Sequence, residues 1–460
     1  MKKGTSSLTS VALGIGCATL VLVLQIQIAS TAGGNATDPG VRRGAAGAGD
    51  PLADLTSSEL RLFNVGLEDF EEEEDIPDGL GPRMNLDGCA GCHLQPAVGG
   101  TSPDINPQIA FASKLGGTDK VPPFLSLKGP VREARFVRNP DGTPDGGVHA
   151  LFTINDRAGA GKCNLEQPDF ARQMASQNVI FRIPTPTFGA GLIEMISDDA
   201  ILASQRGDAG AKAALGIRGR ANFSVSGRTV SGQTNNNGND GTISRFGWKA
   251  QNKSLLLFSG EAYNVEMGIT NDLFMTERDE DADCNPANHP NSITDSGASL
   301  PFDAISSIEK FTFFMKFLAA PTPSQTLPGG STSINNGKSV FDAVGCVQCH
   351  TASFTTGKSA VAALRYKPVP LYSDLLVHDM GTGLADGVSQ GSANGREFRT
   401  APLWGLGQRI FFLHDGRSSD LISTIKAHAS SGSEATGSVM LYNALSESRK
   451  QDLLNFLRSL

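Results

Sequence analysis

Several features that would sort this chain into a familiar class are scarce. Its 460 residues include only two tryptophans, four tyrosines, seven cysteines and seven histidines, and charged residues make up just 19%. Basic side chains number 39 against 47 acidic ones, a formal charge of −8, and no stretch gathers Lys and Arg. Without a basic stripe there is nothing to neutralise a run of phosphates, which argues against nucleic acid as a partner. Beyond the N-terminus no segment is apolar for long enough to cross a bilayer. Glycine and proline are plentiful, 53 and 24 residues, which predicts a loop-rich chain with modest helices.

The one long apolar run, 11–28, follows Lys2 and Lys3 and precedes Ser30-Thr31-Ala32. A basic start, an apolar stretch and a small-residue end describe a secretory signal, read here as residues 1–32. The mature chain is then periplasmic, with a formal charge of −10 once Lys2 and Lys3 are gone (−8 less two). Gln25 and Gln27 oppose a lasting membrane span; the alternative, an uncleaved anchor, is the one route to a membrane.

One short pattern occurs twice, as Cys89-Ala90-Gly91-Cys92-His93 and as Cys346-Val347-Gln348-Cys349-His350. C-x-x-C-H is the attachment pattern of a c-type haem. The two thiols form thioethers with the porphyrin, and the histidine binds iron from below. One copy alone could equally be a zinc half-site or a redox dithiol. Two copies, both ending in His in an exported chain, favour two covalent haems with His93 and His350 as iron ligands. Four of the seven cysteines are then used, and Cys17 lies in the signal. Cys163 and Cys284 remain, and an oxidising compartment suggests a disulfide, with two separate buried thiols as the alternative. The acidic loop 278–283 beside Cys284 is a candidate calcium site, or else a solvated loop pinned by that disulfide.

Along the chain, 33–56 is a flexible leader. A helix is expected over 57–70, opened by the Thr56…Glu59 capping signal. Irregular loops follow over 99–147, and a polar excursion with small strands over 205–245. A helix over 305–318 places Ile308, Phe311, Met315 and Leu318 on one face. After a linker at 320–330, a short helix over 336–344 and a last helix over 446–460 frame a piece with the form of a class I cytochrome c domain. The fold expected is mainly α: two cytochrome c-like haem domains, 57–320 with insertions and 331–460, with long loops and small β insertions.

Longer motifs carry a resemblance. They are FRIPTPTFGAGLIE at 181–194, RFGWKAQ at 245–251, EMGIT at 266–270, YSDLLVHDMG at 372–381 and GREFRTAPLWGL at 395–406. From about Leu60 onward the chain resembles the di-haem oxidoreductase family of peroxidase-like proteins, also catalogued as thiol oxidoreductase-like. That family is distantly similar to bacterial di-haem cytochrome c peroxidases. The resemblance implies that the N-terminal haem reacts with hydrogen peroxide while the C-terminal haem relays electrons from a small cytochrome or cupredoxin. It points to Glu194 as the catalytic acid/base and to His149 as a detachable cap on the first haem. For the second haem Met380 is the first choice of sixth ligand and Met267 the second. Glu397 stands where the peroxidases carry a ligand Met, so direct transfer fails there. His414 falls in a Phe-His-Asp-Gly-like segment, with Asp415 or Arg417 as propionate partners. His378 and His428 are read as structural and His289 as exposed. Trp248 and Trp404 are candidates to bridge the haems, with core packing as the plainer reading. Two other functions stay open: a passive di-haem electron carrier, and an oxidase of a protein or organic substrate. No C-x-x-C is left over to support thiol chemistry.

Overall fold

A computed structural model of the chain describes residues 34–114, 119–154, 165–223, 229–230, 233–234, 243–276 and 290–460. The N-terminal apolar run with Cys17, both candidate disulfide cysteines Cys163 and Cys284, the acidic loop 278–283 and His289 lie outside the described residues.

The first helix, α1 (Ser57–Glu71), begins where the capping signal predicts. Thr56 N–H donates to the Glu59 carboxylate at 2.7 Å, and Glu59 N–H returns to the Thr56 hydroxyl at 3.3 Å. Its apolar face, Phe63 and Phe70, packs on α4 (Ser307–Phe317), with the Phe70 ring 4.7 Å from that of Phe314. Between them Gly66 lets the two backbones approach: a β-carbon there would overlap the Lys310 carbonyl. Helices α2 (Cys89–Cys92) and α3 (Leu255–Met267) join this core, and shorter helices bring in Phe111, Phe170, Leu192, Ile193 and Ile201. A three-stranded antiparallel sheet flanks it, with β1 (Glu133–Phe136) between β2 (Val148–His149) and β3 (Val179–Arg182).

The second core is built on the crossing of α5 (Gly330–Ala343) and α7 (Glu447–Ser459). Phe341 meets Phe456 edge-on at 5.4 Å, and Gly337 sits where a β-carbon would strike the Asp452 carbonyl. Leu453, Leu454 and Leu457 are buried behind them. A short helix, α6 (Leu421–Ala427), and a strand pair, β4 (Val377–Asp379) with β5 (Glu397–Arg399), close the remaining sides.

The mainly helical expectation is overturned. Helix covers 33% of the described residues and strand 12%, an α/β mixture in several small sheets. The reason lies in the connections. Between α5 and α6 the chain forms only three-residue helical turns and strands of two or three residues. Gly381, Gly387, Gly391 and Gly405 take positive φ there, which breaks any longer helix. Side chains satisfy the backbone instead, as where Leu376 N–H finds Asp374 and Val388 N–H finds Asp386.

Candidate haem sites

Each C-x-x-C-H segment opens onto its own cleft. The first has about 1170 Å³ of empty space, walled by Phe70, Leu86, Phe258, Phe311 and Met315, with Cys89, Cys92 and His93 on its lining. The second has about 1430 Å³, walled by Phe341, Phe412, Leu453 and Leu457, with Cys346, Cys349 and His350. In both, a single helical turn (Cys89–Cys92 and Cys346–Gln348) carries the cysteine pair, and the two thiols and the following imidazole line the same cleft.

The two imidazoles are prepared alike. The Nδ1 of His93 lies 2.9 Å from Gly100 O, and that of His350 3.0 Å from Tyr372 O. A carbonyl only accepts, so Nδ1 carries the proton and Nε2 keeps its lone pair. Burial lowers both rings to about 4, so they stay neutral. Burial likewise pushes the Cys89 and Cys346 thiols up to about 12. Among the described residues no group of three or more His, Cys, Asp or Glu side chains gathers as a metal cage.

Buried guanidiniums with unpartnered donors on the cleft linings fit an acid-bearing porphyrin. Arg399 and Arg409 line the second cleft, and burial lowers both to about 10. Arg399 gives its Nε–H to Gly247 O at 2.9 Å, while Arg409 Nε has no hydrogen-bond partner. Arg182 on the first cleft pairs with Asp386 through Nη2 and likewise leaves Nε unpartnered. A haem carries two propionates and a large apolar face, and these walls offer both complements.

The first cleft holds an acid/base group that the sequence did not single out. Glu133 from β1 and Glu266 from α3 share a hydrogen bond between their carboxyl groups on the cleft lining. Arg135 Nε donates to Glu133 at 2.6 Å, and Asn85 Nδ2 donates to Glu266 at 2.6 Å. Burial and the neighbouring Glu133 charge push Glu266 well above the usual carboxylate range. Glu133 is also buried, but Arg135 outweighs the burial and keeps it ionised. The raised Glu266 and the ionised Glu133 leave one proton on the pair. Tyr263, on the same lining, donates to Glu74 at 2.6 Å, and burial raises Glu74 to about 7.

Other expected site residues sit elsewhere. Glu194 accepts from Leu255 N–H at 2.8 Å, which caps α3, and faces Lys316 at 3.9 Å; it is not on the lining of either cleft. The His149 ring lies flat on Phe136 at 3.7 Å with Nε2 2.7 Å from Asp145, also off both linings. Met380 lines the second cleft, whereas Met267 lines the first. Glu397 is held at 2.7 and 2.6 Å by the Arg220 fork. Asp415 and Arg417 pair with each other, off both linings. His378, His414 and His428 all line the second cleft. Trp248 is the one described residue on both linings, its indole donating to Ile183 O at 2.8 Å. Trp404 lies on neither and packs against Gly189.

Among known proteins, no curated one matches. One solved structure, the hydrazine synthase of Kuenenia stuttgartiensis under 20 bar xenon, aligns at 19% identity over 35% of this chain. The chain spans about half (56%) of that protein's length, and a TM-score of 0.22 does not amount to a shared fold. Among the described residues no helix is long and apolar enough to cross a membrane. The sequence model of "Di-haem oxidoreductase, putative peroxidase" matches residues 159–460, well over half of the chain, and the chain belongs to that di-haem oxidoreductase family.

Proposed function

We propose that this chain is an exported di-haem enzyme that reduces hydrogen peroxide in the first cleft with electrons entering through the second. The observation that carries the reading is the hydrogen-bonded carboxyl pair Glu133–Glu266, on the lining shared with Cys92 and His93. Haem, when bound, supplies the iron at which peroxide is held and the electrons that cleave its O–O bond. Reduction of one peroxide to two waters takes two electrons and two protons. Glu266 holds the first proton, and Glu133, fixed by Arg135, is the carboxylate able to take one from the near oxygen and return it to the far one. Glu74, near pH 7 in its affinity and bonded to Tyr263, is placed to resupply the site.

Cys89 with Cys92 and Cys346 with Cys349 would hold the porphyrins as thioethers, with His93 and His350 as axial ligands. Trp248 is the natural electronic contact between the clefts, since it lines both and its ring lies 6.4 Å from that of His414. The N-terminal basic and apolar segment favours export to the periplasm, where a small cytochrome or cupredoxin would serve as donor. A passive carrier has no use for a buried shared proton, which is why the enzyme reading is preferred.

The test is steady-state peroxide turnover with a reduced small redox protein. Glu266→Gln should lower kcat by roughly 10²–10⁴-fold, the size expected for losing a positioned acid, with both haem spectra retained. Glu194→Gln should leave turnover within a few-fold and stability nearly unchanged, because the amide oxygen still accepts from Leu255 N–H. Undiminished turnover in Glu266→Gln, or collapse in Glu194→Gln at unchanged stability, rejects this assignment.

A further inference from the structure

We propose that His428 is the sixth ligand of the haem in the second cleft, so that this iron is held between two imidazoles, those of His350 and His428. The inference rests on the haem of that cleft and is independent of peroxide turnover in the other.

Besides His350, four histidine and methionine side chains on that lining carry a lone pair suited to iron: His378, His414, His428 and Met380. The Tyr442 hydroxyl is a fifth group there and has no hydrogen-bond partner among the described residues, but burial pushes its phenol up to about 12, which disfavours the phenolate that would bind iron. His378 is spent, because Nε2 lies 3.0 Å from Asp374 and Nδ1 2.8 Å from Glu434. A ring bridging two carboxylates offers both nitrogens as donors. His414 lies flat against Phe398 at 4.3 Å and 20°, with Trp248 at its edge. Its ring stacks in the wall between the clefts, with Nε2 4.0 Å from Asp415 and, among the described residues, no backbone carbonyl on either nitrogen to fix the tautomer.

His428 is different. Its Nδ1 lies 2.8 Å from Thr424 O, one turn back on α6, which puts the proton on Nδ1 and leaves the Nε2 lone pair for the cleft. That is the arrangement of His93 and His350, each tied by Nδ1 to a backbone carbonyl. Iron- and zinc-bound histidines characteristically give their other ring N–H to such an acceptor, which fixes the tautomer and the ring's orientation. A histidine at a helix C-terminus often bonds a carbonyl of the last turn for capping alone. Here the ring is on a cleft lining rather than in solvent. The helix that carries it is held at both ends. Asp420 caps Ser423 N–H at 2.7 Å, Asp38 takes Leu421 N–H at 2.8 Å, and Ser433 Oγ–H bonds His428 O at 2.5 Å. Met380 lacks an orienting contact of this kind; its backbone N–H pairs with Arg396 O at 2.9 Å, at the end of β4.

Two consequences follow. The second iron is six-coordinate, so substrate chemistry is confined to the first cleft. Its potential lies below that of a His–Met haem, because a thioether ligand raises potential and an imidazole does not. A haem of this kind passes electrons readily rather than storing one.

The oxidised holoprotein decides the matter by near-infrared absorption and EPR. Wild type should lack the His–Met charge-transfer band. His428→Ala should convert one of the two haems to a high-spin or imidazole-restorable form, and Met380→Leu should leave every band in place. His428→Met covers the case in which the alanine variant loses haem: it should gain the charge-transfer band and raise one reduction potential. A charge-transfer band in wild type that Met380→Leu removes overturns the assignment. So do low-spin signals unchanged in His428→Ala, or no band in His428→Met.

Discussion

Glu74 and Glu194 illustrate how neighbours rather than sequence motifs fix what a carboxylate does. Glu194 follows a Thr-Pro turn as a catalytic glutamate does in the peroxidases, yet its oxygen is spent on Leu255 N–H. Glu74 sits in a run of acids, Glu71 to Asp75, yet it is buried against Tyr263. Its folded pKa of about 7 exceeds the ordinary 4.5, chiefly through burial. Below the ordinary value both states are protonated and its contribution to stability is complete. As the pH rises through 7 the buried group ionises at a cost, and that contribution is lost. Glu74→Gln should therefore gain on wild type by on the order of 2 kcal/mol between about pH 5 and about pH 8, as measured by denaturant titration. An equal pH dependence in both proteins would mean that Glu74 is not buried as described. Glu133 and Glu266 were beyond sequence reading for a related reason: one comes from a strand and one from a distant helix, and only the fold brings them together. The C-x-x-C-H residues were legible because their chemistry is local, all within one turn. His428 lacked any local signal, since its neighbours in sequence do not reveal that its ring reaches a cleft.

Helices with strong ends and a clear apolar face were readable. The Thr56…Glu59 capping box starts α1, and Ile308, Phe311 and Met315 are buried on α4 as their spacing predicts. The start of α5 was not. The linker is expected to run to 330 and the helix to begin at 336, whereas α5 begins at Gly330, where Asp452 and Asn455 on α7 bond Ser333. Tertiary contact overrode propensity there. The two-residue strands carry no period to detect, so the many small sheets escaped notice and the helical content was overestimated. The α5–α7 crossing makes its own prediction. Gly337→Leu places a side chain against the Asp452 carbonyl and the Phe456 β-carbon, and should cost about 1–3 kcal/mol or more. Thermal melts should show the loss, and the second haem's spectrum should be disturbed while the first is spared. Disturbance of both alike would show that the two cores are not separable.

Over the molecule as a whole, two clefts that differ in kind share one tryptophan. The first is rich in ionisable groups, with Glu133, Arg135, Glu261 and Glu266 on its lining; the second is rich in imidazoles and unpaired guanidiniums. That asymmetry suits a division between a chemical site and an electron-entry site, joined at Trp248. It depends on both clefts carrying haem bound through the paired cysteines. Intact mass under denaturing conditions, on protein matured with a haem-ligation system, tests this most directly. The account predicts the polypeptide plus two haems, with one haem on the peptide containing Cys89 and Cys92 and one on that containing Cys346 and Cys349. A mass equal to the bare polypeptide, with all four thiols free to react, would contradict it.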